Sequence, residues 1–189
     1  MFTLLNVAGI SKDHINSRRD LGQMGIRISL HPNVVNEKTV IMPSCFTLNK
    51  DEKYLFLKVL KDVKVPNGYA SNISRCVNLH DRSILGLKSH DTHVIMQQLF
   101  PLAIRRILPK NVVKPLIELC NFFRQLYSKV NRVTDLEYMQ DQISITLCHL
   151  EKIFPPSFFD IMEYLPIYLV EEAILAGPVQ FRWMYRIAR

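Results

Sequence analysis

The chain has 189 residues, 48% hydrophobic and 22% charged, a balance that suits one compact globular domain and excludes a disordered one. Its net charge of +7 is unevenly placed, with +4 over residues 1–66, +7 over 67–132 and −4 over 133–189. No apolar run approaches the ~20 residues of a membrane span, and Cys45, Cys76, Cys120 and Cys148 are too widely spaced, without a CxxC pair, for a stapled secreted scaffold. The apolar start at Met1 lacks a basic leader and a full apolar segment, so no signal peptide and an intracellular location are expected.

Residues 1–46 read as an irregular leading segment. Ser11 is placed to cap a short helix reaching about Gln23, with Gly22 and Gly25 as exits. Ile26–Leu30 and Thr39–Met42 are strand-like runs split by His31-Pro32-Asn33, too short to build a sheet unaided. Thr47 or Asn49 opens the next helix, with Tyr54, Leu55, Leu57, Val59 and Leu60 as its apolar positions, and Pro66-Asn67-Gly68 closes it with a turn.

Residues 47–189 read as a helical body, predominantly helical from Ser71. Met96, Leu99, Phe100, Ala103 and Ile107 follow the spacing of one buried helical face, and Pro101 inside it predicts a kink or break. Leu116, Leu119, Cys120, Phe123, Leu126, Tyr127 and Val130 define a second helix, central because Ile117 and Phe122 widen its apolar arc. Thr134-Asp135-Leu136-Glu137 has capping-box spacing, and Leu136, Met139, Ile143, Leu147 and Leu150 form a regular stripe. Pro155-Pro156 stops that helix, Ser157 opens another, Pro166 interrupts it and Gly177-Pro178 turns the chain. The expected class is therefore mainly α, one domain over 1–189, with at most one or two short strands.

Three clusters carry candidate chemistry. His90, Asp91 and His93 offer nitrogen and oxygen ligands to a metal, though His90 and His93 alone are half a zinc site and Ser89 or Asp91 also suits a helix cap. Arg105, Arg106, Lys110 and Lys114 head a basic concentration that continues through Arg124, Lys129 and Arg132, which suits phosphates or simply a solvated surface. Arg182-Trp183-Met184-Tyr185-Arg186 alternates cations with aromatics, a pattern that stacks on bases and pairs with phosphates and equally docks a terminal segment onto a core. Asp160 and Glu163 share a helical face, but two-metal chemistry needs carboxylates converging from several elements. There is no glycine-rich phosphate loop, GxSxG elbow or HExxH motif.

These residues also carry a resemblance. Leu4-Leu5-Asn6-Val7, Met24-Gly25-Ile26-Arg27, Val65-Pro66-Asn67-Gly68-Tyr69-Ala70-Ser71-Asn72 and Leu87-Lys88-Ser89-His90-Asp91-Thr92-His93-Val94-Ile95-Met96 resemble a plant domain of unknown function found in transposases of CACTA, or En/Spm-like, elements. So do Phe154-Pro155-Pro156-Ser157-Phe158-Phe159-Asp160 and Gly177-Pro178-Val179-Gln180-Phe181-Arg182-Trp183-Met184-Tyr185. The resemblance implies a nuclear piece of a DNA-transposition protein, with DNA and the rest of a transposase or another transposase subunit as partners and no small-molecule substrate. Such relatives carry an Asp-Val-Met-His stretch upstream and Pro-x-Glu-Arg downstream, neither of which this sequence contains, so a truncated copy is expected. They also place Cys at Thr92 and His at Tyr164 and Tyr168, where a metal site across the two segments would be lost here, leaving His90 and His93 and no cofactor expected. A non-catalytic helical domain is the first reading. The alternatives are a competent part of a divalent-metal strand-transfer enzyme using Asp91, Asp160 and Glu172, and a remnant without selected function.

Overall fold

A computed structural model describes residues 1, 3–5, 11–35, 38–64, 72–159 and 161–179. The fold is mainly α, accompanied among the described residues by two small antiparallel hairpins. The turn expected at residues 66–68 lies outside the described residues.

The first helix, α1 (Ile15–Gln23), is capped by His14 rather than Ser11. His14 Nδ1 accepts the Ser17 N–H at 3.3 Å while Ser17 Oγ accepts the His14 N–H at 3.1 Å, so imidazole and hydroxyl form a capping box. The strand expected over Ile26–Leu30 is instead a 3₁₀ turn at Ile28–Leu30, because Arg27 adopts the left-handed region (φ 52°) and breaks the extended run. The hairpin β1 (Asn33–Val35) with β2 (Lys38–Val40) follows, taking in part of the Thr39–Met42 run.

Helix α2 (Lys50–Asp62) starts at Asn49, whose Oδ1 accepts from the N–H groups of Asp51 and Glu52 while Glu52 accepts from the Asn49 N–H. It buries Phe56, Leu57 and Leu60 and leaves Tyr54 and Leu55 exposed, so the apolar face is narrower than expected. The predominantly helical chain expected from Ser71 does not begin with an α-helix among the described residues. Among the described residues, Ile73–Cys76 is a 3₁₀ turn, and β3 (Val77–Asn78) pairs with β4 (Ser83–Ile84). Asn78 Oδ1 accepts the N–H groups of His80 and Asp81, which fixes the turn between these strands.

Helical structure resumes with α3 (Ser89–Val94), passes through a π-helical turn at Ile95–Leu99 and continues as α4 (Phe100–Ile104). Pro101 lacks the N–H that an α-helix would direct to Gln97, and the chain widens just before it, with the Phe100 N–H reaching back to Ile95. The expected kink therefore takes the form of a π-turn.

Helix α5 (Lys110–Leu126), capped by Pro109, begins six residues before the apolar pattern suggests and ends before Val130, which is exposed. Helix α6 (Val133–Glu151) buries Leu136, Met139, Ile143, Leu147 and Leu150 as its stripe requires. Its cap is Arg132, so Thr134 lies inside the first turn and the expected capping box does not form. After Pro155 the chain makes a 3₁₀ turn at Pro156–Phe158, then α7 (Ile161–Tyr164) and α8 (Pro166–Ala176). Gly177, at φ 78° and ψ −177°, ends α8 in a conformation nearly confined to glycine.

Helix α6 lies between α5 and α8, while α2 packs on α4 through the edge-to-face pair Phe56–Phe100, 6.0 Å between centroids. A continuous apolar cluster runs from Leu4 and Leu5 through Phe46, Leu57, Ile104, Leu126 and Ile143 to Val170 and Ala173. The leading segment is tied to the C-terminal part by polar contacts. Lys12 Nζ donates to Glu163 Oε1 at 3.0 Å and to the Phe158 carbonyl at 3.1 Å, Ser157 Oγ donates to the Lys12 carbonyl, and Arg27 donates to the Phe154 carbonyl. Beneath them Arg18 is wholly buried, with two bonds to the Asp13 carboxylate, a third to the Leu30 carbonyl at 3.0 Å and its guanidinium over the Phe46 ring.

Candidate nucleic-acid interface

The corner between α4 and α5 carries four of the basic residues singled out from the sequence. The N–H groups of Ile107 and Leu108 both turn back to the Ile104 carbonyl, and buried Ile104, Leu108 and Val112 anchor the corner from below. Arg105 and Arg106 are exposed in this tight turn. Pro109 then fixes the chain for helix entry, its carbonyl accepting the N–H groups of Val112 and Val113, both at 2.9 Å. Lys110 and Lys114 follow, both exposed and one turn apart on the same face.

A helix N-terminus bears partial positive charge, and natural helices commonly offset it with acidic side chains in the first turn. Helix α5 has none there. Among the described residues this cluster pairs with Glu118, 3.9 Å from Lys114, in a largely exposed pair with the lysine N-terminal to the glutamate. That order is the weaker one, and water screening leaves the pair little energy. The positive field of the corner is therefore largely uncompensated. Arg182 and Arg186, the other basic candidates, lie outside the described residues.

The acidic surplus sits elsewhere. Glu137 and Asp141 of α6 and Glu171 of α8 line an open groove of about 370 Å³ between those helices. On the opposite flank of α6, a second groove of about 230 Å³ runs between α5 and α6, lined by amide side chains, Tyr138 and Glu118. Neither groove was singled out from the sequence, because each depends on how two helices pack side by side.

The histidine cluster has a structural setting. Buried Asp91 accepts the Lys88 N–H at 3.2 Å and so closes the start of α3, while the Thr92 hydroxyl donates to the Lys88 carbonyl. His93 stands edge-on to the Tyr127 ring, 5.4 Å between centroids, and burial, helped by nearby His90, holds its pKa below the ordinary histidine value. His90 is exposed. Tyr164 instead approaches the end of α6, its hydroxyl donating to Glu151 at 2.5 Å, a bond that raises its pKa. Tyr168 is exposed on α8. Among the described residues no group of three or more His, Cys, Asp or Glu is arranged to hold a metal ion. Of the carboxylates weighed for strand transfer, Asp91 is buried in the α3 start, Glu172 is exposed on α8 and Asp160 lies outside the described residues.

All four cysteines are free thiols, Cys45 and Cys148 exposed, Cys76 half-buried and Cys120 buried in α5. Burial pushes the Cys120 thiol up to about 12. No helix among the described residues is long and apolar enough to cross a membrane.

No curated protein and no solved structure matches the chain. A family model does match its last third: residues 126–189, from the final residue of α5 onward, match a domain of unknown function, DUF4218.

Proposed function

We propose that the chain is a transposase-derived, non-catalytic helical domain that contacts the phosphate backbone of nucleic acid through the α4–α5 corner. The observation that carries the reading is the charge distribution at the corner. Arg105, Arg106, Lys110 and Lys114 surround the N-terminal end of a 17-residue helix that has no acidic residue in its first turn. Such an end favours anions through both its free N–H groups and its partial charge, and the cations add a diffuse attraction to a polyanion. The transposon heritage rests on the resemblance of the sequence blocks around His90, Pro155 and Trp183, and with it come a nuclear location, a DNA partner and the rest of a transposase as a second partner. The domain works without a cofactor in this reading, and Asp91 serves α3 rather than a metal.

Titration of DNA at a series of salt concentrations tests the contact. Wild type is expected to bind at low salt and weaken steeply as salt rises, and replacing Arg105, Arg106, Lys110 and Lys114 by alanine is expected to reduce the slope of log K against log salt by about three to four. An unchanged slope in the quadruple variant would move the contact off this corner. Absence of binding at low salt would overturn the nucleic-acid reading itself.

A further inference from the structure

The groove between α5 and α6 continues the basic corner along the same helix. Lys110, Lys114, Glu118, Asn121 and Gln125 are spaced by four, four, three and four residues, the repeat of one face of α5. The last three of these line the groove, and Tyr138 and Gln142, four apart on α6, form its opposite wall. Its floor is apolar, made of buried Phe122, Met139 and Ile143. At one end the buried Thr146 hydroxyl donates to Glu118 Oε2 at 3.3 Å, which holds that carboxylate at the wall.

The chemistry of this surface is specific. Asn121, Gln125 and Gln142 each present a donor and an acceptor, the pattern that reads the edge of a heterocycle carrying both. Tyr138 is 66% exposed at the groove, so its ring offers a stacking face that packing among the described residues leaves largely uncovered. At about 230 Å³ the groove is smaller than a typical drug-sized pocket and suits a single planar group. The two lysines that extend the stripe outnumber the single Glu118 carboxylate of this groove and favour an anion attached to that group, while the three carboxylates Glu137, Asp141 and Glu171 on the far side of α6 repel a polyanion from the other groove.

We infer that the α5–α6 groove receives an unstacked base of single-stranded nucleic acid, with the adjoining phosphates against Lys110 and Lys114. The inference rests on the nucleic-acid contact proposed above and narrows its ligand class, because a base within a duplex has both faces covered by its neighbours and cannot enter the groove without being extruded.

The test compares a labelled oligothymidine strand with a duplex of equal length by fluorescence anisotropy, on the full chain. Tyr138→Ala and Gln142→Ala change exposed side chains, and equal melting temperatures confirm that the variants fold. Tyr138→Ala is expected to weaken single-strand binding about fivefold or more while leaving duplex affinity unchanged, and Tyr138→Phe, which keeps the ring, is expected to bind the strand as wild type does. Wild-type affinity for the strand in both alanine variants would overturn the groove assignment and leave the basic corner standing. Equal losses for strand and duplex would also overturn it, since they would mean that the phenol serves the backbone. A wild type that binds neither nucleic acid at low salt would overturn both readings.

Discussion

Arg18 is the residue on which the leading segment turns. Its guanidinium is out of water and satisfied by two bonds to Asp13, one to the Leu30 carbonyl and the face of Phe46. A buried pair of this kind adds little net stability over an apolar replacement, but removing one partner strands the other charge. Asp13→Ala is therefore expected to cost about 3–5 kcal/mol in urea unfolding, more than an Arg18→Met, Asp13→Leu double replacement, which removes both charges. A double variant as unstable as Asp13→Ala would show that the bonds to Leu30 and Phe46 matter more than charge pairing. The sequence predicts a short helix over this segment, but its pattern contains no sign that a cation is the inward residue. The His14 cap was likewise hidden, since serine, aspartate and asparagine lead the preference for that position and Ser11 stood nearby. Cation positions fared differently. Arg105, Arg106, Lys110 and Lys114 are legible as a group because proximity in sequence places them at one corner.

Helices announce themselves where their caps and apolar stripes agree. Asn49 is such a case, with Asp51 and Glu52 behind it and Phe56, Leu57 and Leu60 turned inward. Asn49→Ala removes the acceptor for two N–H groups and is expected to lower stability by about 1 kcal/mol, measured by thermal or urea unfolding, with Asn49→Asp close to wild type. A loss near zero would mean that Glu52 alone holds the start of α2. The α6 stripe is legible for the same reason, although the helix starts one residue before Thr134 and so leaves the apparent capping box inside its first turn. The segment from Ile73 to Ile84 is the clearest divergence between sequence pattern and structure. Its short apolar residues fit a helix as well as a hairpin, and the deciding feature is local turn chemistry at Asn78, reinforced by Arg82 at φ 47°. Pro101 shows a third situation: the interruption is visible in the sequence, while its form as a π-turn depends on how Ile95, Leu99 and Phe100 before it and Ala103 and Ile104 after it are all buried.

At the scale of the molecule, one apolar cluster joins residues from Leu4 to Ala173, and Cys120 lies within it. Its reaction with a thiol reagent therefore reports opening of the core, whereas Cys45 and Cys148 are accessible in the folded chain. Mass spectrometry after alkylation is expected to show those two labelled first and Cys120 only at the rate of global unfolding. Alkali adds a second readout. Burial raises the Cys120 thiol from its ordinary 9.0 to about 12, so the folded chain holds the proton more tightly than the unfolded one. Its contribution to stability is complete below pH 9 and falls as the pH rises towards 12. A Cys120→Ala variant is expected to lose that part of the alkaline decline, and rapid labelling of Cys120 under native conditions would place it outside the core. The bonds from Lys12 and Arg27 to Phe154, Phe158 and Glu163 span 127 to 151 positions along the chain. On a ribosome making about 5–20 residues per second, residues 11–31 emerge on the order of ten seconds before their partners exist. The segment synthesised early is thus among the last to be secured, and α2, with its own cap and local apolar face, can nucleate structure while the chain ahead of it still waits for its anchor.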